Sequence, residues 1–156
     1  MAVKGRLVGG SVAAVLTLAT GIVASFEGYV PHTYSDPVGI STACYGHTGP
    51  DVMPNRIYTQ SECDALLSGD LSEAYEAVKE CIKVPLTPNQ AAALTSAAFN
   101  AGPKIVCGST LMRMANAGEP PSEWCPQLKR WVYARGVKLP GLVKRRDAET
   151  KLCLSY

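Results

Sequence analysis

Residues 26–47 read FEGYVPHTYSDPVGISTACYGH, and this stretch decides how the rest of the chain is interpreted. Within sixteen positions it offers two carboxylates and a hydroxyl, from Glu27, Asp36 and Thr42. A pair of carboxyl groups flanking one bond is what acid-catalysed glycoside hydrolysis requires. The stretch therefore indicates a glycosidase site if the fold brings the three side chains around one cleft.

The local sequence predicts how these side chains are held. Tyr34–Asp36 and Ile40–Tyr45 are expected to pair as a small β element, joined by an Asp-Pro-Val-Gly turn. Glu27 follows an apolar run and has aromatic neighbours, which disfavour an ionised carboxylate, so we expect it to stay protonated as a general acid. Asp36 and Thr42 would then hold a water on the opposite face of the bond. An inverting reaction would need carboxyl groups about 6.5–9.5 Å apart.

Taken singly, each of the three residues also has an ordinary structural explanation. Glu27 could be a surface acid at a helix end. Asp36 could be a turn former that acts through its side-chain oxygen, and Thr42 could be a plain strand residue. Their combination in one short stretch favours the cleft.

The N-terminal sequence has the pattern of an export signal or a membrane helix. Lys4 and Arg6 precede twenty uncharged residues, Leu7–Phe26. Gly, Ala, Ser and Thr make up more than half of this run, so we expect its insertion into a membrane to be weak.

Three alternatives remain open for this segment. It could insert and later be released into the first helix of the fold, it could be a signal cleaved after Ala24, or it could be a permanent anchor or core helix. Its weak hydrophobicity and its closeness to Glu27 favour release. The sequence thus predicts a signal-anchor segment at 1–25 and a catalytic domain at 26–156.

The cysteine content indicates an oxidising compartment. None of the six cysteines forms a C-x-x-C pair, and with two histidines in the chain the spacings do not suggest zinc. We therefore predict no metal and no cofactor. An even count behind an export-like N-terminus indicates up to three disulfides, with reduced buried thiols as the alternative and the pairing left open. The cysteines are Cys44, Cys63, Cys81, Cys107, Cys125 and Cys153.

The charge pattern narrows the class of partner. A net charge of +2 over 156 residues is compatible with an anionic polymer such as the cell wall. The chain lacks Lys/Arg clusters interleaved with aromatic residues, so we expect no binding to nucleic acid.

Beyond the β element, the sequence predicts helices. Thr59-Gln60-Ser61-Glu62 and Thr87-Pro88-Asn89-Gln90 are capping boxes, and each precedes residues at helical spacing. An early sheet followed by helices predicts an α+β fold. The expected helices span about 63–79, 91–100, 109–116, 123–133 and 142–154.

Motifs along the chain resemble those of one known family. The spacing Glu-x8-Asp-x5-Thr is followed by a Gly-His pair. Further motifs are PLTPNQ at 85–90, FNAG at 99–102, STL at 109–111, and RW followed by GLVKRR between 130 and 146. Together these motifs resemble the phage lysozyme family of glycoside hydrolases over about residues 26–154.

The resemblance implies a lysozyme-like fold with a small early β-sheet lobe and a larger helical C-terminal lobe. It implies N-acetylmuramidase activity on the β-1,4 bond between N-acetylmuramic acid and N-acetylglucosamine of peptidoglycan. Glu27 would be the acid, Asp36 the second carboxylate and Thr42 a water-positioning residue. Asn100 would bind sugar, although a helix-end asparagine is the alternative. The disulfides implied by the resemblance are Cys44–Cys63, Cys81–Cys107 and Cys125–Cys153.

The N-terminal segment is similar to that of signal-anchor-release endolysins, which serve host cell lysis. This similarity implies a monomer held inactive in the host inner membrane and later soluble in the periplasm. Residues 7–26 contain no cysteine, so a thiol switch in the anchor is not expected.

The remaining candidate residues receive lesser roles. By resemblance, His47 is a structural histidine near the sheet, paired with an acid. His32 is expected in a loop and Trp131 in the core. Arg145 and Arg146 either lie near the acid or face solvent. Two other functions stay open, namely lytic transglycosylase-type cleavage and non-catalytic binding to the cell wall.

Overall fold

The computed structural model describes residues 11–155, and its fold is the predicted α+β arrangement. Helices predominate, and a small sheet follows the first helix. The helices are α1 Val12–Phe26, α2 Gln60–Cys81, α3 Pro88–Ala101, α4 Thr110–Asn116, α5 Pro121–Trp124 and α6 Pro140–Leu154, and the strands are β1 Val30–Ser35, β2 Ser41–Cys44, β3 His47–Thr48, β4 Tyr133–Ala134 and β5 Val137–Lys138.

Helix α1 is part of the main hydrophobic core. The Ser11 side chain caps its first turn by accepting a hydrogen bond from the Ala14 N–H. Val15, Ala19 and Val23 recur every four residues, so they share one face, and all three are fully buried. In the part of the chain that the structure describes, no helix is long and apolar enough to cross a membrane. The basic flank and residues 7–10 of the predicted anchor lie outside the described residues.

Helix α3 forms the centre of the larger lobe and contacts α1, α2 and α6. Its Thr87 capping box is present, with Gln90 as the partner and Pro88 in the first turn. The following residues, 91–98, are all buried. Because most of them are alanine, neighbouring helices can approach α3 closely from several sides. The predicted Thr59 capping box likewise opens α2.

The small sheet is antiparallel in the order β1-β2-β3. Tyr34 pairs with Thr42 across β1 and β2, and the pairing is irregular between Val30 and Tyr34. The strand predicted at Tyr34–Asp36 is therefore longer and begins earlier. The expectation of a loop at His32 is wrong, since this residue lies within β1 and bridges to Ile57. As an edge strand, β1 tolerates the missing N–H of its proline.

The helix predicted near 123–133 is also wrong. Helix α5 ends at Trp124, and a 3₁₀ segment, Cys125–Arg130, follows it. Pro126 has no N–H to continue the α-helical ladder, which accounts for the tighter turn. Tyr133 then belongs to the hairpin of β4 and β5, whose connecting residues Arg135 and Gly136 both have positive φ, 52° and 76°. Such a two-residue turn is typical of β-hairpins.

Three disulfides link the elements, and they join the pairs that the resemblance implied. Cys44–Cys63 ties β2 to α2 in the smaller lobe. Cys81–Cys107 and Cys125–Cys153 lie in the larger lobe, where the second fastens the 3₁₀ segment to α6.

Candidate active site

A cleft of about 750 Å³ separates the sheet lobe from the helical lobe. Its lining is acidic on the α2 side and mixed elsewhere. An open, polar groove of this kind suits a hydrated polymer better than a small apolar ligand. The polar residues that line it are Glu27, Thr48, Asp70, Glu73, Glu76, Glu80 and Asn100.

Glu27 lies at the C-terminal end of α1 and lines this cleft. Its backbone N–H closes the helix on the Val23 carbonyl at 2.8 Å. Its side chain is 23% exposed, and its Oε1 accepts a hydrogen bond of 2.7 Å from the buried Arg145 guanidinium. The sequence suggested apolar surroundings for Glu27. The structure differs, because the Arg145 guanidinium from α6 pairs with the Glu27 carboxylate. Sequence reasoning left the position of Arg145 open.

Gly46 brings the backbone of the sheet lobe against Glu27. Its φ is +72°, and a Cβ at this position would lie 2.9 Å from Glu27 Oε2. The neighbouring Cys44 also has a positive φ, 61°, and its disulfide to Cys63 fastens this turn to α2. Only glycine combines this conformation with this close approach.

Asp36 and Thr42 lie together on the β1–β2 hairpin, but neither is among the residues that line the cleft. Asp36 Oδ1 accepts hydrogen bonds of 2.9 Å from the N–H groups of Val38 and Ile40. Thr42 is buried, and its hydroxyl donates to the Ile40 carbonyl at 3.0 Å. Asp36 therefore stabilises the turn through its side-chain oxygen, which was its alternative role in the sequence analysis. Its other carboxylate oxygen, Oδ2, takes no part in these two hydrogen bonds.

Asn100 lines the cleft from the end of α3. Its amide oxygen accepts a hydrogen bond from Arg146, which also pairs with Glu149. Arg146 and Glu149 are fully buried, and so is Ser96, which donates to Glu149. Sequence reasoning missed Ser96 and Glu149. The spacing Arg-Arg-x-x-Glu does place three charges on neighbouring helix positions, which was the available signal.

His47 lies beside the cleft and bonds to two acids. Its Nδ1 lies 2.8 Å from Asp70 Oδ2, and its Nε2 lies 3.0 Å from Asp51 Oδ1. Burial lowers the pKa of His47, but the hydrogen bonds with Asp70 and Asp51 outweigh it, so the pKa is raised above the ordinary 6.5. Burial raises the pKa of Asp70, and its bond with His47 offsets this only in part. The contact between His47 and Asp70 links β3 to α2.

No group of three or more His, Cys, Asp or Glu side chains within residues 11–155 is arranged to hold a metal ion. Trp131 is partly buried against the main core.

Comparison of the sequence with known proteins identifies its family. The phage lysozyme family model matches residues 24–149. The chain belongs to the phage lysozyme family. Within it, the chain is 40% identical over 154 residues to a protein of Bacteriophage PS119 named SAR-endolysin, covering 97% of this chain and 92% of that protein.

Solved structures of lysozyme-like proteins share the fold. The muramidase domain of SpmX from Asticaccaulis excentricus superposes with a TM-score of 0.80 at 32% identity, covering 94% of this chain and 97% of that one. The active form of the P1 phage endolysin Lyz superposes with a TM-score of 0.78 at 25% identity, covering 93% and 94%.

Gly46→Ala tests the close approach to Glu27. An added Cβ would push the Glu27 carboxylate aside and strain the backbone by about 1–3 kcal/mol. A displacement of the order of 1 Å at a reacting group can slow a reaction by roughly a hundredfold. We therefore expect hydrolysis of peptidoglycan to fall by roughly tenfold to a hundredfold, as measured by the clearing of a cell-wall suspension. Gly28→Ala is the matched control, because a Cβ there meets nothing within 4 Å. Equal activity of Gly46→Ala and Gly28→Ala would contradict the inference that the close approach of Gly46 to Glu27 matters for hydrolysis.

His47→Asn tests the histidine–carboxylate interaction through its pH dependence. The folded-state pKa of His47 is raised, so its stabilising contribution is complete below pH 6.5 and is lost as the pH rises through the folded value. While Asp70 is ionised, we expect the variant to lose about 1–3 kcal/mol of unfolding free energy below pH 6.5 and less at alkaline pH. Urea unfolding at several pH values measures this difference. The exposed His32→Asn is the control, and a loss that does not vary with pH would argue against the interaction.

Proposed function

We propose that this protein is a phage endolysin that degrades peptidoglycan as an N-acetylmuramidase. It would hydrolyse the β-1,4 bond between N-acetylmuramic acid and N-acetylglucosamine. Membership of the phage lysozyme family supports a lysozyme-type hydrolase. The observation that carries the proposal is the position of Glu27, a carboxyl group fixed at a helix end and directed into an open polar cleft.

In the proposed reaction, Glu27 protonates the glycosidic oxygen as the bond to the anomeric carbon breaks. Asp36 and Thr42 would hold the attacking water on the opposite face, and Asp36 would take the proton that the water loses as its oxygen bonds to the anomeric carbon, which gives an inverting outcome. Asp36 would act through Oδ2, since its Oδ1 is bonded to the hairpin turn. Asn100 would bind the sugar next to the acid, from the wall that α3 provides.

The alternative of lytic transglycosylase-type cleavage gains support from one observation. Asp36 is engaged in its turn and is absent from the cleft lining, whereas Glu27 is present. A transglycosylase needs the acid alone and forms anhydro sugars in place of new reducing ends. The two reactions thus differ in their products and in their need for Asp36.

The N-terminal segment, residues 1–25, is proposed to act as a releasable membrane anchor for the domain at 26–156. A relative that is 40% identical bears the name SAR-endolysin, which supports this proposal. Val15, Ala19 and Val23 pack into the protein core, and the same side chains cannot face lipid at the same time. Because Glu27 caps the end of α1, it reaches the cleft only when this helix is docked. Release into the periplasm would therefore activate a monomeric enzyme.

Glu27→Gln and Asp36→Asn together test the chemistry. Reducing ends released from purified peptidoglycan measure hydrolysis, and mass spectrometry detects anhydro products. We expect Glu27→Gln to lower the rate by roughly 10²–10⁴-fold, the usual contribution of a general acid. Asp36→Asn should lower it comparably if Asp36 positions the water. The exposed Glu119→Gln, outside the cleft, controls for loss of a negative charge.

Different outcomes separate the alternatives. Retained activity in Asp36→Asn with anhydro products would favour the transglycosylase. Unchanged release of reducing ends in Glu27→Gln would overturn the assignment of the acid. Cell-wall effects that survive in both variants without any cleaved product would indicate binding alone.

Fractionation of expressing cells over time tests the releasable anchor. We expect the full-length chain to appear first in the membrane fraction without activity. Later it should appear in the periplasm, active and of unchanged mass. A loss of about two dozen residues would favour a cleaved signal instead. Chain that stays in the membrane throughout would indicate a permanent anchor.

A further inference from the structure

Glu149 is a fully buried carboxylate in α6 that the proposed reaction does not use. It accepts a hydrogen bond of 2.5 Å from the Ser96 hydroxyl of α3. It also pairs with both Arg146 and Arg145, whose Nε lies 3.5 Å from Glu149 Oε2. A buried carboxylate is tolerated when it is paired and hydrogen-bonded. Glu149 meets this condition through Arg145 and Arg146, and each of these arginines also contacts a residue that lines the cleft.

Arg145 connects Glu149 to the acid. The NH1 group of Arg145 donates to Glu27 Oε1 at 2.7 Å, while its Nε faces Glu149. Its guanidinium also lies 5.7 Å from the centre of the Phe26 ring and 5.9 Å from that of Phe99. The contact between Nε and Glu149 is an ion pair without a hydrogen bond, so Glu149 attracts the guanidinium through its charge while NH1 holds Glu27. The position of the Glu27 carboxylate therefore depends on Glu149.

Arg146 connects Glu149 to Asn100, the proposed sugar-binding residue at the end of α3. Its three nitrogens are all engaged, with Nε donating to the Trp131 carbonyl at 3.0 Å, NH1 to Glu149 and NH2 to Asn100. Arginine only donates hydrogen bonds, so Asn100 must present its oxygen to Arg146. The amide nitrogen of Asn100 is then the group available to a sugar oxygen.

We propose that Glu149 is a positioning residue that sets both Glu27 and Asn100, acting on the first through Arg145 and on the second through Arg146. This inference rests on the proposed muramidase function. In this network the Arg145 and Arg146 guanidinium groups both contact the buried Glu149, and Glu27 lies at its cleft end. Without the charge on Glu149, Arg145 would retain Glu27 as its only carboxylate partner among residues 11–155.

Glu149→Gln in the full-length soluble protein tests the proposal. The measurements are kcat, KM and the pH dependence of reducing-end release from solubilised peptidoglycan strands. We expect kcat to fall by at least about tenfold, because the acid is misplaced. KM should rise, because Asn100 loses its fixed orientation. The alkaline limb of the kcat profile should move to lower pH, since the surplus positive charge favours ionised Glu27, and an ionised acid cannot donate a proton.

Two further variants isolate the role of Glu149. Asp147→Asn removes a carboxylate from the same helix at an exposed position, where it lies 3.8 Å from Lys129, so it should change neither kcat nor the pH profile. Ser96→Ala keeps every charge and removes the 2.5 Å hydrogen bond to Glu149. It should lower kcat several-fold and leave the alkaline limb in place.

The outcomes distinguish this inference from the proposed function. Wild-type protein that releases no reducing ends would overturn the proposed function itself. Active wild type and a folded Glu149→Gln with unchanged kcat and pH profile would overturn the positioning role alone. A lower melting temperature with normal activity per folded molecule would do the same, since it indicates a purely structural carboxylate. If Glu149→Gln does not fold, Ser96→Ala decides, because a normal kcat there contradicts the proposal and a lowered one supports it.

Discussion

The docking of α1 onto α3 is the constraint on which the candidate site depends. Val15, Ala19 and Val23 of α1 are fully buried, and Glu27 is the residue that caps the end of the helix. A residue at a helix end has its backbone position set by the packing of the whole helix. The ion pair with Arg145 then fixes the side chain from the other direction, through α6. The acid is thus held by two helices that meet only in the folded protein.

The composition of α3 makes this arrangement possible. Residues 91–98 are all buried and most of them are alanine, so α1, α2 and α6 can all pack closely around one helix. The end of the same helix carries Asn100 into the cleft, and its middle carries Ser96 to Glu149. A larger side chain in this helix would separate its neighbours and disturb the polar network as well as the apolar core.

Local patterns in the sequence predicted the local structure well. The capping boxes at Thr59 and Thr87 open helices as expected, because the bonds that define them lie within four residues. Glu27 and Asn100 line the cleft, whereas Asp36 and Thr42, which were predicted to surround the same cleft, are not among its lining residues. The partners of Glu27 and Asn100 could not be predicted in the same way, since 118 positions separate Arg145 from Glu27 and 46 separate Arg146 from Asn100. Such contacts depend on how the helices pack, which periodicity does not specify. The β4–β5 hairpin was missed because its Arg-Gly turn follows a sequence with helical spacing.

The proposed insertion into the membrane and later release place two opposing requirements on the residues of α1. Insertion into a bilayer favours large apolar side chains, whereas later release requires that the segment be only weakly retained. The helix meets both with alanine, threonine and glycine among its valines and leucines. In the folded protein, the small Ala19 is fully buried between Val15 and Val23, where a bulkier residue would hold α1 away from the core. Under the proposed release, Ala19 would meet both requirements, because its small side chain would weaken membrane retention and also lets the helix dock, whereas Thr17, Thr20 and Gly21 are exposed. A substitution that strengthened the anchor at this position would, for the same steric reason, hinder the docking that brings Glu27 to the cleft.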